Sequence, residues 1–358
     1  MSASGTVYAG VTRWRGAETV EDALSGVFRL RAGDGATDWE HLTRGLPEGC
    51  HVPCVAVHPT DPTVVYAGTD SGPYRSTDGG ARWARMPFPR EDRQVWSLAF
   101  HPADPRRMIA GTSPLGIFLS EDGGETWREA PSARRPDRMP MGDFRNRVLR
   151  IAHDPANPRE IYAALEVNGV IRSLDGGETW EDCSDDLIRI SGRPERKSAI
   201  LTKSDAEGML DAHAIAVSAA APGQPVLAVR MGLFRSADRA RHWEDLEVGR
   251  FSPITYGRDI RVSPHDPKVL YACLSTSASG PAGSVYRSDD LGRSWRRFDR
   301  GVEPSATMMA VAPHPRDANA VYAATRFGQV FGTRDGGATW AETPLPAGCR
   351  GVFSLAVG

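Results

Sequence analysis

The stretch Ser173-Leu174-Asp175-Gly176-Gly177-Glu178-Thr179-Trp180 decides the fold. Asp hydrogen-bonds its own backbone two residues on, and Gly supplies positive φ, so Asp-Gly-Gly makes a tight turn between strands. The Trp that follows is large and apolar enough to anchor a sheet face. The pattern predicts a hairpin turn leading into a strand with a buried Trp. Close copies are STDGGARW (76–83), SEDGGETW (120–127), SDDLGRSW (288–295) and TRDGGATW (333–340). Two are degraded: SADRARHW (236–243) and the stretch ending at Trp39. The seven box tryptophans, Trp39 to Trp340, are successively 44, 44, 53, 63, 52 and 45 residues apart. A period of about 40 to 50 residues is the size of a four-stranded propeller blade.

Working outward from the box, one unit runs from VPCVAVHP through a Pro-rich turn to VVYAGT, then PYRS, the turn, and a fourth strand from Trp83. The other units keep this rhythm, and the unit from Ala212 has less of the turn chemistry. The N-terminus begins at a second strand, TVYAG, and the C-terminus stops after a lone first strand, GVFSLAVG. The prediction is an all-β, seven-bladed β-propeller filling residues 1–358 as one domain. One blade takes its inner strand from the C-terminus and three strands from the N-terminus, which closes the ring and removes open sheet edges.

The 358 residues carry a net charge of −2, and the pI is about 6.5. Nothing in that balance points to nucleic acid or an anionic membrane. The N-terminus shows no basic segment followed by an apolar run, and no 18-residue apolar span occurs, so neither a secretion signal nor a membrane helix is expected. Five cysteines at irregular spacing argue against a disulfide framework and for a reducing cytoplasm. Cys50-His51-x-x-Cys54 lies in an extended strand with no second half, and the Asp-Gly-Gly turns lack the spaced carboxylates of a calcium loop. No phosphate-binding or dinucleotide glycine motif is present. No metal and no cofactor are expected.

The repeated box resembles the Asp-box (BNR) repeat over essentially the whole chain. That family includes sialidases, xyloglucan-acting glycosidases, sortilin-type receptors and a photosystem II assembly factor, and seven blades resemble the last three groups most. The resemblance implies that the boxes lie away from the active face, with Asp78, Asp122, Asp175, Asp290 and Asp335 structural. Phe28-Arg29-Leu30 echoes the sialidase FRIP motif too poorly to carry catalytic roles across.

The internal repeat serves as a control for what a featureless blade contains. One inner-strand position reads Val55, Leu98, Ile151, Ile215, Ile260, Val311 and Leu355, and is core. The next is Ala in six blades and Arg261 in the other. The preceding position is small except for Arg150 and Asp259. Three residues further back stand His51, Gln94, Arg147, Asp211, Tyr256, Thr307 and Gly351, a polar set where the inner strands begin. In a propeller that is the mouth of the central channel. Of nine histidines, five sit at recurring strand-end turns and two beside box tryptophans, which leaves His51 and His213 at the mouth.

Candidate catalytic residues are therefore His51, His213, Asp211, Tyr256 and Asp259, with histidine suited to acid, base or ligand roles near neutral pH. Candidate ligand-binding residues are Arg147, Arg150, Arg258, Arg261, Arg230, Arg326, Glu166 and Gln94. Arginine forks bind carboxylate or phosphate oxygens, so convergent arginines in a nearly neutral protein point to an anionic ligand. The competing reading is an internal ion cluster of Arg150, Asp259 and Arg261. The insertions 11–25, 129–146 and 185–210 are expected to project as a lid over the mouth, or to decorate the surface. Three functions fit. One is a hydrolase or lyase acting on an anionic small molecule or sugar derivative. The others are a scaffold binding a protein partner and a small-ligand carrier.

Overall fold

The computed structural model describes residues 5–13, 23–32, 37–133, 146–199 and 203–358. Seven four-stranded antiparallel sheets form the ring. Blade one pairs Val352–Val357 with Gly5–Val11, then Gly26–Ala32 and Glu40–Leu42. Blades two to seven begin with the inner strands Cys54–Val57, Gln94–His101, Val148–His153, Ala212–Ala216, Tyr256–Val262 and Met308–Pro313. The tail strand lies against the head strand with Ala9 opposite Leu355, which is the expected closure.

Among the described residues, the six boxes from Ser76 to Trp340 are held by the same bonds. In blade four the Ser173 hydroxyl donates to Asp175, accepts from the Gly177 N–H at 2.8 Å, and Asp175 accepts from the Thr179 N–H at 2.9 Å. The stretch at 236–243 makes the full set as well. Ser236 donates to Asp238, the Ala240 N–H donates to Ser236, and the His242 N–H donates to Asp238. Its missing glycines are replaced by Arg239 and Ala240 at φ 61° and 64°. The turn chemistry read as degraded is intact, because the Ser and Asp side chains, not the glycines, make its hydrogen bonds. The fourth strands are short and start after the Trp, as in Ala84–Arg85.

The core lies between blades rather than in one centre. Trp83 packs with Tyr8, Val27 and Leu42 of blade one and Val52, Val55 and Val65 of blade two. The insertion 185–210 contains two helices, Asp185–Ser191 and Glu207–Leu210. It is neither lid nor decoration where described. Leu187, Ile190, Met209 and Leu210 are buried in the wall between blades four and five, and Asp186 accepts the Trp243 backbone N–H at 2.7 Å. Residues 14–22 and 134–145, the bulk of the other two insertions, lie outside the described residues.

Six of the seven inner strands share one irregularity. The pairing register skips one residue at Trp96, Leu149, His213, Arg258, Met309 and Phe353. Blade two has Pro53 at the equivalent place. A β-bulge leaves its extra residue unpaired, bends the strand and re-aims that side chain. Repeated around the ring, the bulge sets these residues at one level of the axis.

Candidate functional site

We call the face where inner strands begin the upper face. There, on blade five, Asp211 precedes the inner strand and His213 occupies its bulge. Tyr256 opens the inner strand of blade six. His213 Nδ1 lies 2.7 Å from the Gly257 carbonyl oxygen. A carbonyl only accepts, so this bond holds a proton on Nδ1 and turns Nε2 toward its two other neighbours. Nε2 is 3.3 Å from the Tyr256 hydroxyl and 3.2 Å from Asp211 Oδ2. Arg230, on the adjoining turn of blade five, donates to the same Oδ2 from Nη2 at 2.7 Å and Nε at 3.0 Å. The other carboxylate oxygen, Oδ1, is buried and has no hydrogen-bond partner among the described residues.

The electrostatics follow from these contacts. Burial alone would raise the Asp211 carboxyl, but His213 and Arg230 outweigh it and hold it well below the usual range. Asp211 is thus an anion that stabilises charge on its neighbours. Burial pushes the Tyr256 hydroxyl up to about 12, so it stays protonated through neutral pH.

Arginines border this group. Arg258, the bulge residue of blade six, is only 8% exposed, and its guanidinium lies 5.6 Å from the Phe353 ring centroid. Among the described residues it has no carboxylate partner. Arg326 is buried nearby; burial and the charge of Arg258 push its guanidinium down to about 10. Arg147 donates to Glu166 at 2.7 Å and its guanidinium sits 4.3 Å from the Trp96 ring centroid. Gln94 accepts the Trp96 indole N–H at 3.2 Å. Trp96 of blade three and Phe353 of blade one meet edge to face at 5.5 Å, past blade two. Two rings that touch across an intervening blade have converged on the axis, and they form an aromatic plug capped by Arg147 and Arg258.

Below the plug the channel opens into a cavity of about 470 Å³ on the face where the inner strands end. Its lining includes Cys54, Trp96, Arg150, Arg261, Phe353 and Arg316. Asp259 is fully buried beside it. Its oxygens take Arg150 Nη2 at 2.9 Å, Arg261 Nε at 3.2 Å, and the backbone N–H groups of Ile260 and Val311 at 3.0 and 3.2 Å. Burial would raise its carboxyl, and Arg150 and Arg261 hold it low instead.

The structure therefore sorts the sequence candidates into two tiers. Asp211, His213, Tyr256 and Arg230 touch one another, with Arg258, Arg326, Arg147, Glu166 and Gln94 on the same upper half. Asp259, Arg150 and Arg261 form the ion cluster on the lower half, where Asp259 has its oxygens occupied. His51 stands on blade two, three blades around the ring from His213. The aligned inner-strand positions singled out in the sequence leave out Trp96 and Phe353. Alternation assigns the bulge position to the same sheet face as the core residue, and only the bulge turns it to the axis. Its one visible signal was two large aromatics at a single inner-strand position.

No family model matches the chain. A probable oligoxyloglucan-reducing end-specific xyloglucanase of Neosartorya fischeri is 21% identical over 88% of this chain and 43% of its own length. A xyloglucanase of Hypocrea jecorina is 24% identical over 73% of this chain and 34% of its own. The chain thus spans less than half the length of these curated relatives. Among solved structures, the GH74 xyloglucanase of Xanthomonas campestris matches 85% of the chain and 46% of its own with a TM-score of 0.59 at 20% identity. YCF48 bound to D1 peptide matches 81% of the chain and 80% of its own with a TM-score of 0.51 at 15% identity. At these identities the structural likeness speaks for the fold. The chain is a seven-bladed β-propeller similar to xyloglucanases and to YCF48.

Among the described residues no helix is long and apolar enough to cross a membrane. No group of three or more His, Cys, Asp or Glu is arranged to hold a metal ion among them.

Proposed function

We propose that the protein cleaves glycosidic bonds in an oligosaccharide that carries an anionic group, at the upper mouth of the channel. The observation that carries this reading is the contact of His213 with both Tyr256 and Asp211, beside an arginine with no carboxylate partner among the described residues. Tyr256 remains a proton donor at neutral pH, so its part is to protonate the leaving glycosidic oxygen. His213 Nε2 takes a proton from the attacking water, whose oxygen bonds the anomeric carbon as the glycosidic C–O bond breaks, or, in an elimination, from the carbon next to the uronate carboxylate. It then passes that proton to the tyrosinate, and Asp211 stabilises the imidazolium in between. General acid catalysis of this kind contributes about 10²- to 10⁴-fold. Arg258 and Arg326 hold the anion.

The xyloglucanase names of the relatives support a sugar substrate, and a glycosidic bond in particular. The arginines support an acidic sugar rather than a neutral one. The two-carboxylate arrangement of most glycosidases needs one carboxylic acid held protonated. Asp211 and Asp259 are both held as anions, which favours the tyrosine as acid. Whether water or elimination completes the cleavage is set by the product. A hydrolase releases two saturated sugars, and a lyase leaves an unsaturated uronate.

The test is a panel of neutral and uronate-bearing oligosaccharides, incubated with the protein and read by mass spectrometry. Cleavage confined to the acidic members, and reduced at least about 100-fold in Tyr256→Phe with the fold intact, is expected. Saturable retention of a peptide with no oligosaccharide cleaved would instead favour a scaffold like the peptide-bound neighbour.

A further inference from the structure

We propose that the lower cavity is a second ligand site, separate from the upper mouth, that takes a small monoanionic carboxylate with a flat apolar body. The proposal does not rest on the cleavage reading. It starts from charge. Two guanidinium groups, Arg150 and Arg261, share one carboxylate, Asp259. That leaves one positive charge without a protein counter-charge in the cluster.

The shortfall is visible in the arginines themselves. Burial and the neighbouring Arg261 push the Arg150 guanidinium down to about 10. Arg150 Nε is buried with no hydrogen-bond partner among the described residues. Both side chains remain partly accessible, at 24% and 30%, while Asp259 is sealed at 0%. Asp259 takes only Nη2 of Arg150 and Nε of Arg261, and both arginines line the cavity, so the Nη end of Arg261 is not used by the carboxylate. A bidentate carboxylate is the group that matches such an edge in charge and shape.

The volume and the walls set the rest of the ligand. About 470 Å³ lies within the range of small-molecule sites, which are mostly apolar with a few placed polar groups. The plug rings Trp96 and Phe353 line the cavity together with valine, alanine and proline side chains. They offer flat apolar surface to an aromatic or cyclic body. Arg261 stands where the six other blades have Ala. The charge is thus a departure from the repeat, not a requirement of building a blade.

Cys54 provides the reporter. It lines the cavity, and the other four cysteines are buried. The experiment follows labelling of Cys54 by the neutral reagent iodoacetamide, with benzoate as probe and benzyl alcohol as its uncharged counterpart. Benzoate is expected to slow labelling saturably, benzyl alcohol is not, and Arg261→Ala is expected to weaken the benzoate protection at least tenfold. Tyr256→Phe is expected to leave the protection unchanged, which separates this site from the upper one. A second readout needs no variant: benzoate raises the melting temperature of the wild-type protein saturably, and benzyl alcohol does not. Equal protection by benzyl alcohol, protection that survives Arg261→Ala, or no saturable effect of benzoate in either readout overturns the proposal.

Discussion

Asp211 joins stability and chemistry at one residue. Its carboxylate accepts from Nε and Nη2 of Arg230 and lies beside His213 in a nearly dry setting, so removing its charge leaves the Arg230 guanidinium without its counter-ion. Taking away one partner of a buried pair costs about 3 to 5 kcal/mol. Arg230 is partly exposed, which puts Asp211→Asn at the lower end, about 3 kcal/mol, measurable by urea unfolding. A cost under about 1 kcal/mol would mean the contact is not held in solution. Much at this scale was legible in the sequence. Arg261 stands out because the six other blades have Ala there, Asp211 and Tyr256 belong to the polar set where the inner strands begin, and His213 remains after the recurring histidines are set aside. What could not be read was which arginines share a tier. Arg150 and Arg258 stand in different blades, and only their heights on the axis assign one to the lower cavity and the other to the upper mouth.

At the scale of the element, the box turns carry the acid sensitivity. The Thr126 hydroxyl and backbone N–H bind Asp122 and lower its carboxyl to about 2, and Asp335 is lowered to about 2 by Thr339 in the same way. These groups have folded values below their unfolded ones, near 3.9. Their stabilisation is therefore present above about pH 4 and lost as pH falls toward 2. The melting-temperature gap between wild type and Asp122→Ala is expected to be constant from pH 5 to 7 and to close toward pH 2. A gap unchanged at pH 2 contradicts this role.

One box also contains a correctable strain. Leu291 takes φ 61° where the best copies have glycine. A left-handed conformation costs a non-glycine residue about 1 to 2 kcal/mol, and glycine returns part of that as unfolded-state entropy. Leu291→Gly is expected to stabilise the protein by about 0.5 to 1 kcal/mol in chemical unfolding, and destabilisation would show that its side-chain packing matters more. The boxes were the most legible feature of the chain because Ser, Asp and Trp act within eight residues. The bulges were the least legible. A bulge depends on pairing to a neighbouring strand, and no local residue pattern marks it.

For the whole molecule, closure and the axis matter most. The ring was readable from its split blade, since a lone inner strand at one end and a missing inner strand at the other leave one economical solution. Length alone does not say which side chains of an insertion are apolar on the inside, so the expectation of a lid or decoration fails for 185–210 where it is described. In 185–210 the buried Leu187, Ile190, Met209 and Leu210 make the insertion part of the wall. On the axis, the Trp96–Phe353 contact stands between the Asp211–His213–Tyr256 group above and the Arg150–Asp259–Arg261 cluster below.

The central claim is that the upper mouth selects an acidic sugar through Arg258. The direct measurement is kcat/KM for a uronate-bearing oligosaccharide and for its carboxyl-reduced neutral counterpart, in the wild type and in Arg258→Ala. The wild type is expected to prefer the acidic substrate, and Arg258→Ala to lose about 100-fold on it with less than about tenfold loss on the neutral one. Equal losses on both substrates, or a wild type that prefers the neutral sugar, would contradict it.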